Sequence, residues 1–170
     1  MFFRASQLEP NNGFGKYHKA CIDSLYKTTT ANGVFCKTPE GNDWMEEYPS
    51  PTPSYVLNGF IFCLIAVTEY AVHSQDKIYE EKAIELYKSL MHSLSEYRIG
   101  KYWRYDRKFW KFSNIEYQAL HTFQFLHLYK LGGMDIFKTI SLECNEAMDW
   151  ENFFYFYQMP KRNIQISDYL

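Results

Sequence analysis

Two acidic residues beside a tyrosine, Glu46-Glu47-Tyr48, open the stretch whose side chains are best suited to chemistry. A phenol next to a carboxylate can act as acid or base when its surroundings tune it. Pro49, Pro51 and Pro53 follow closely. Each fixes its own φ and biases the preceding residue toward extended backbone, so the group is carried on a stiff segment. A second concentration spans 100–112, Gly-Lys-Tyr-Trp-Arg-Tyr-Asp-Arg-Lys-Phe-Trp-Lys-Phe. Its rings, Tyr102, Trp103 and Tyr105 among them, offer either cross-strand packing or a platform for a sugar. Arg104 or Arg107 offers a fork for a carboxylate. A third pair, Tyr117 and His121, is spaced i, i+4, which places both on one helix face.

The elements that must position these groups read mainly as helix. Phe14, Tyr17, Cys21 and Leu25 predict a first helix ending near Lys27. Val34-Phe35-Cys36 reads as a short strand, followed by a turn through Pro39, Gly41, Asn42 and Asp43. Ser54 reads as the N-cap of a second helix from about Tyr55 to His73. Its apolar run, Val56–Val67, is too short to span a bilayer and is expected to be buried on most sides. Asn58-Gly59 is a weak pair for a helix interior, where Gly costs about 1 kcal/mol relative to Ala. A close backbone contact or a nearby ligand would account for it.

Asp76 is the expected N-cap of a third helix, with Tyr79, Ala83, Leu86, Leu90 and Leu94 as its apolar stripe. Alternating rings and charges in 100–112 predict a hairpin turning at Asp106-Arg107. Ser113 and Glu116 form a capping-box pattern for a fourth helix, which Gly132-Gly133 should stop. A fifth helix is expected over about Asp135–Met148, with Ile136, Ile140, Cys144 and Ala147 on one face. The aromatic tail Trp150–Tyr157 should pack across the helices. The fold class is therefore mainly α: antiparallel helix pairs with a short β-hairpin, in a single domain over residues 1–170.

Composition narrows the functions. With 18 basic and 20 acidic residues and no long basic run, nucleic acid is not an expected partner. Aromatic residues make up 19% of the chain, which suits a large core and also suits carbohydrate binding. Cys21, Cys36, Cys63 and Cys144 fit no zinc or redox spacing and read as buried free thiols. His18, His73, His92 and His127 show no ligand spacing, so neither metal nor cofactor is expected. No signal-peptide h-region or membrane span is visible, which makes the cytoplasm the default location.

Glu46-Glu47-Tyr48-Pro49, followed by Pro53-Ser54-Tyr55-Val56-Leu57-Asn58-Gly59-Phe60, resembles the C-terminal domain of the D-glucuronyl C5-epimerase family. The resemblance covers roughly residues 17 to 131, including Trp44, the Gly100 segment and Glu116-Tyr117 with His121. It implies helix pairs forming part or all of an (α/α) toroid, with an acidic, heparosan-type polysaccharide lying over the helix ends. The implied reaction inverts C5 of D-glucuronic acid within the polymer, giving L-iduronic acid. One group removes the C5 proton and another returns a proton to the opposite face, while the intermediate carbanion needs charge stabilisation.

Carried over residue by residue, Glu47 and Tyr48 match the family's Glu-Tyr pair, which makes Tyr48 the principal proton-transfer candidate. Tyr117 matches the tyrosine opening a late helix, and His121 a histidine one turn on. In the hairpin the family has Tyr-Asp-x-Arg. Register from Gly100 puts Trp103 at the tyrosine position; a two-residue slide brings in Tyr105-Asp106 but leaves Arg107 one place early. The resemblance thus assigns Tyr48, Tyr117, Tyr105 and Glu47 to catalysis, and Arg104, Arg107, His121, Trp103 and Asn58 to the substrate. The family also carries a substantial N-terminal region. Its lack here implies either a fragment or a shortened homologue, the latter completed by self-association or a partner chain. Three readings follow: an epimerase, a non-catalytic polysaccharide-binding module, or an assembly subunit.

Overall fold

Three large rings lie parallel at the centre of the molecule. Trp44 is fully buried and stacks on Phe60 at 3.9 Å between centroids and on Tyr97 at 6.0 Å. The computed structural model describes residues 14–109 and 113–148. Within them, helices α1 (Phe14–Leu25), α2 (Leu57–Ser74), α3 (Lys77–Tyr97), α4 (Ile115–Gly132) and α5 (Asp135–Glu146) follow in chain order. Two antiparallel hairpins accompany them: β1 (Phe35–Lys37) with β2 (Asp43–Met45), and β3 (Arg98–Ile99) with β4 (Tyr102–Trp103). The protein is therefore mainly helical with small antiparallel hairpins. The aromatic tail from Trp150 lies outside the described residues.

Helix α2 is the hub, in contact with α1, α3, α4 and β2. Leu57, Phe60, Ile61, Leu64 and Val67 are fully buried along it, as its run of apolar residues demands. By length and composition α2 could cross a membrane, and 50% of that stretch is buried inside the protein. Gln75 and Asp76 connect it to α3, a link short enough to fold the two helices back on each other. Asp76 caps α3 as expected, accepting from the Ile78 N–H at 3.0 Å. The stripe Tyr79, Ala83, Leu86, Leu90, Leu94 is buried throughout. Gly133, at φ +68°, ends α4 and leads directly to α5.

Several expected boundaries move, each for a physical reason. Helix α2 starts at Leu57 with Val56 as N-cap, because the Ser54 hydroxyl is used elsewhere. Helix α4 is capped by Asn114, whose side chain accepts from the Tyr117 N–H; Ser113 is buried one residue before, and Glu116 is exposed. On α1 Ile22 is buried, while Tyr17 and Cys21 face solvent. On α5, Phe137 takes the core position and Ile136 is exposed. The strand expected at Val34 begins at Phe35 and pairs with Asp43–Met45, a strand that short polar and aromatic residues did not announce.

The hairpin after α3 turns at Gly100-Lys101 rather than Asp106-Arg107. Gly100 has φ +60°, a conformation for which glycine is suited. Residues 104–108 instead form a loop laid against the segment before α2. Leu57 N–H donates to the Tyr105 carbonyl at 3.0 Å, and the Arg107 and Lys108 N–H groups donate to Ser54 O at 3.1 and 3.3 Å.

The buried carboxylate of Glu46 fixes the other side of that seam. It accepts from Ser54 Oγ at 2.9 Å and from the Tyr55 N–H at 2.7 Å. Tyr55 sits at φ +56°, a left-handed conformation that a non-glycine residue holds only when its surroundings over-determine it. The Tyr97 hydroxyl donates to the Tyr55 carbonyl, so both peptide groups around this residue are held. Replacing Glu46 by Ala removes two charge-assisted hydrogen bonds and releases the Tyr55 turn. Glu46→Ala is expected to lower unfolding free energy by about 3 kcal/mol, against less than about 1 kcal/mol for Glu47→Ala, measured by urea denaturation.

Candidate functional site

Tyrosines from three separate segments meet at this seam. Tyr48 follows β2, Tyr105 follows β4, and Tyr117 lies in the first turn of α4. The Tyr48 and Tyr105 hydroxyls are 3.3 Å apart. The Tyr105 ring meets the Tyr117 ring edge-on, 4.6 Å between centroids. Tyr48 is 56% exposed and Tyr105 only 9%, so the cluster runs from solvent inward. Burial pushes the Tyr105 phenol above the ordinary tyrosine range, helped by hydrogen bonds to Tyr48 and Tyr117 and by the charge of Glu47. Tyr105 therefore keeps its proton at neutral pH.

Glu47 is held from behind by α2. Its Oε2 accepts from Asn58 Nδ2 at 3.2 Å. A Cβ on Gly59 would meet Glu47 Oε2 at 2.7 Å and Glu47 Cβ at 2.8 Å, so the glycine is what lets Glu47 lie against the helix. This close approach resolves the weak Asn58-Gly59 pair. Neighbouring Glu46 is turned inward and is 2% exposed. Alternation along the extended chain thus separates the two acids, one for structure and one toward the tyrosines.

The remaining expected residues divide. Asn58 contacts Glu47, and Gln124 Nε2 on α4 donates to the Asn58 carbonyl at 2.8 Å. His121 is fully buried beneath Tyr117, one turn along α4 and in edge contact with Phe125. Burial pushes its pKa down to about 3, so the ring is neutral over the physiological range. Trp103 is buried against Phe125, which makes it core packing rather than an exposed platform. Of the two hairpin alternatives it is Tyr105, not Trp103, that reaches the other tyrosines.

Arg107 is engaged by the protein. It grips Glu40 at 2.9 and 3.2 Å, pairs with Glu96 at 2.6 Å, and lies over the Tyr55 ring. Its hydrogen bonds hold the Glu40 carboxyl down at about 2. Arg107 therefore ties the β1–β2 turn and the end of α3 to the 104–108 loop. Arg104 is half-buried, and burial lowers its pKa from the usual guanidinium value. Among the described residues no group of His, Cys, Asp and Glu could hold a metal ion.

Sequence reasoning did not single out Gln118 or Gln124. Both are buried, and with His121 they place polar side chains at i, i+3, i+6 on the inward face of α4. Polar residues at core spacing were the available signal. A separate apolar groove of about 810 Å³ lies between α2, α3 and the end of α4, lined by Ala71, Val72, Ile84, Tyr87 and Met91. It contains none of the residues of the tyrosine site.

Fold and site together define a mainly helical protein with a tyrosine–carboxylate centre at a seam of loops. The chain belongs to the family described as D-glucuronyl C5-epimerase C-terminus, which matches residues 1–146. It is 29% identical over 130 residues to D-glucuronyl C5-epimerase of Caenorhabditis elegans, covering 68% of this chain and 21% of that protein. It is also 34% identical over 96 residues to an uncharacterized protein of Methanocaldococcus jannaschii, covering 55% of this chain and 30% of that one. The chain thus spans less than a third of the length of either relative.

The pH dependence of stability follows from the buried groups. His121 has a lowered pKa in the fold, so its contribution is present above the ordinary histidine value of about 6.5 and lost as pH falls toward 3. Tyr105 and Tyr97 have raised values, so theirs is present below the ordinary tyrosine value of about 10 and lost as pH rises beyond it. Urea unfolding across this range should give a dome. His121→Phe should flatten the acid side and leave the alkaline side in place.

Proposed function

We propose that this chain carries the proton-transfer centre of a glucuronate C5-epimerase acting within an acidic, heparosan-type polysaccharide. The observation that carries the reading is the convergence of Tyr48, Tyr105 and Tyr117 beside Glu47. The family match supplies the reaction class. The helix pairs would then form part of an (α/α) toroid, with the polymer crossing the exposed Tyr48 edge.

In this reading Tyr48 and Tyr117 serve opposite faces of the uronate ring. With one outer phenol ionised, it takes the C5 proton, and the other phenol gives a proton to the opposite face. Each cycle leaves one tyrosine with a proton gained and the other with a proton lost. Tyr105 is hydrogen-bonded between them and relays a proton that restores the starting state. Its raised pKa suits a group that passes protons without resting as an anion. The uronate carboxylate is assigned to an arginine of the 104–108 loop, Arg104 or Arg107, whose guanidinium fork suits it. Binding that carboxylate acidifies C5 and stabilises the developing negative charge.

One observation favours a second reading, a polysaccharide-binding module without turnover: Trp103, which stands at the hairpin tyrosine position in register from Gly100, is buried against Phe125. Incubation with heparosan in deuterium oxide separates the two. Epimerisation predicts deuterium at C5 and new iduronate signals in the NMR spectrum. Tyr48→Phe and Tyr105→Phe should each lower incorporation by about 100-fold or more, with polymer binding kept. Binding without any C5 exchange by the wild-type chain would favour the module.

A further inference from the structure

The layer between α2 and α4 holds polar atoms that the tyrosine cluster does not use. His121 is fully buried, and neither Nδ1 nor Nε2 has a hydrogen-bond partner. The side-chain oxygens of Asn58, Gln118 and Gln124 are buried and unpartnered as well. These amides cannot simply be turned over, since their nitrogens are already placed. Gln124 Nε2 donates to the Asn58 carbonyl at 2.8 Å, Gln118 Nε2 to the Trp103 carbonyl at 3.3 Å, and Asn58 Nδ2 to Glu47 at 3.2 Å. A flip would trade each of these bonds for a clash of acceptors.

No direct partner reaches them. A neutral imidazole has one N–H and one lone-pair nitrogen, while three amide oxygens all require donors. The buried donors Trp44 Nε1, Trp103 Nε1 and Ser113 Oγ are unpartnered too, so none of them bonds these oxygens directly. Each orphaned group carries a desolvation penalty, and several together would rival the stability of a whole domain. A carbohydrate hydroxyl cannot supply the missing donors, because the atoms are sealed from the surface. Water can: it brings two donors and two acceptors and commonly completes buried polar groups.

We propose that ordered water bridges the His121 imidazole to the amide oxygens of Asn58, Gln118 and Gln124, making His121 a positioning residue that fixes Asn58 against Glu47. Asn58 is the transmitting group. Its oxygen faces the hydrated layer and its nitrogen holds the Glu47 carboxylate. Loss of the imidazole frees the Asn58 side chain to turn and removes a restraint on Glu47. His121 then acts on the site from behind, without touching substrate. The consequence for proton transfer rests on the epimerase reading; the hydrated layer does not.

The test has two arms. In the full chain labelled with ¹⁵N-histidine, water-selective NMR should give cross-relaxation between long-lived water and the His121 ring protons. A ring that contacts only amide protons, with no water signal, overturns the proposal. In the second arm, C5 deuterium exchange on heparosan is followed for folded variants, as judged by circular dichroism. His121→Phe should lower kcat about tenfold or more with KM within about twofold, and His121→Asn should recover part of the loss. A folded His121→Phe with unchanged kcat overturns the positioning role, and the NMR arm decides the hydration even if that variant does not fold. Bound water in a wild-type chain that turns over no polymer upholds the hydrated layer and counts against the epimerase reading alone.

Discussion

One buried carboxylate sets the geometry on which the rest depends. Glu46 is withdrawn from water with its oxygens on Ser54 Oγ and the Tyr55 N–H. An acid so placed is tolerable only when hydrogen bonds replace its hydration. Those same bonds hold Tyr55 in a left-handed conformation and aim the chain into α2. They also fix the Ser54 carbonyl where it receives two N–H groups from the 104–108 loop. The loop that carries Tyr105 is thereby registered against the segment that carries Tyr48.

The site is consequently a property of a seam. No single element presents it: one tyrosine follows a strand, one lies in a loop, and one opens a helix. Rigid parts brace each side. Trp44 is clamped between Phe60 and Tyr97, which anchors the chain shortly before Tyr48. Arg107 anchors the loop just after Tyr105 by gripping Glu40 and Glu96. Gly59 gives Glu47 room to approach α2. Pre-organisation of this kind suits proton transfer, which depends steeply on the distance between donor and acceptor.

Behind the tyrosines lies a polar layer within an otherwise apolar core. His121, Gln118 and Gln124 occupy positions on α4 that Leu or Phe would fill in a purely structural helix. Placing them there is costly unless their hydrogen bonds are completed, so their presence marks the interface of α2 and α4 as more than packing. The neutral state of His121 fits this setting, since a charge there would have no counter-ion among its described contacts.

The amino-acid sequence by itself determined the local matters. Among the described residues it specified five helices, the Asp76 cap of α3, the Gly133 stop of α4, and the stiff Glu-Glu-Tyr-Pro segment leading to an apolar helix. These depend on residues a few places apart, whose spacing, capping and φ restrictions are written in order along the chain. It also carried the family resemblance that the comparisons bear out. Tertiary structure decided which of two adjacent acids is buried, which hairpin ring reaches the tyrosines, and that Arg107 is paired with Glu40 and Glu96. It moved the hairpin turn to Gly100-Lys101 and the α2 cap away from Ser54. Tyr48 meets Tyr105 across 57 positions and Arg107 meets Glu40 across 67. Whether a charge or a hydroxyl is buried there depends on what the folded chain brings to it, and neighbours along the chain carry no record of that.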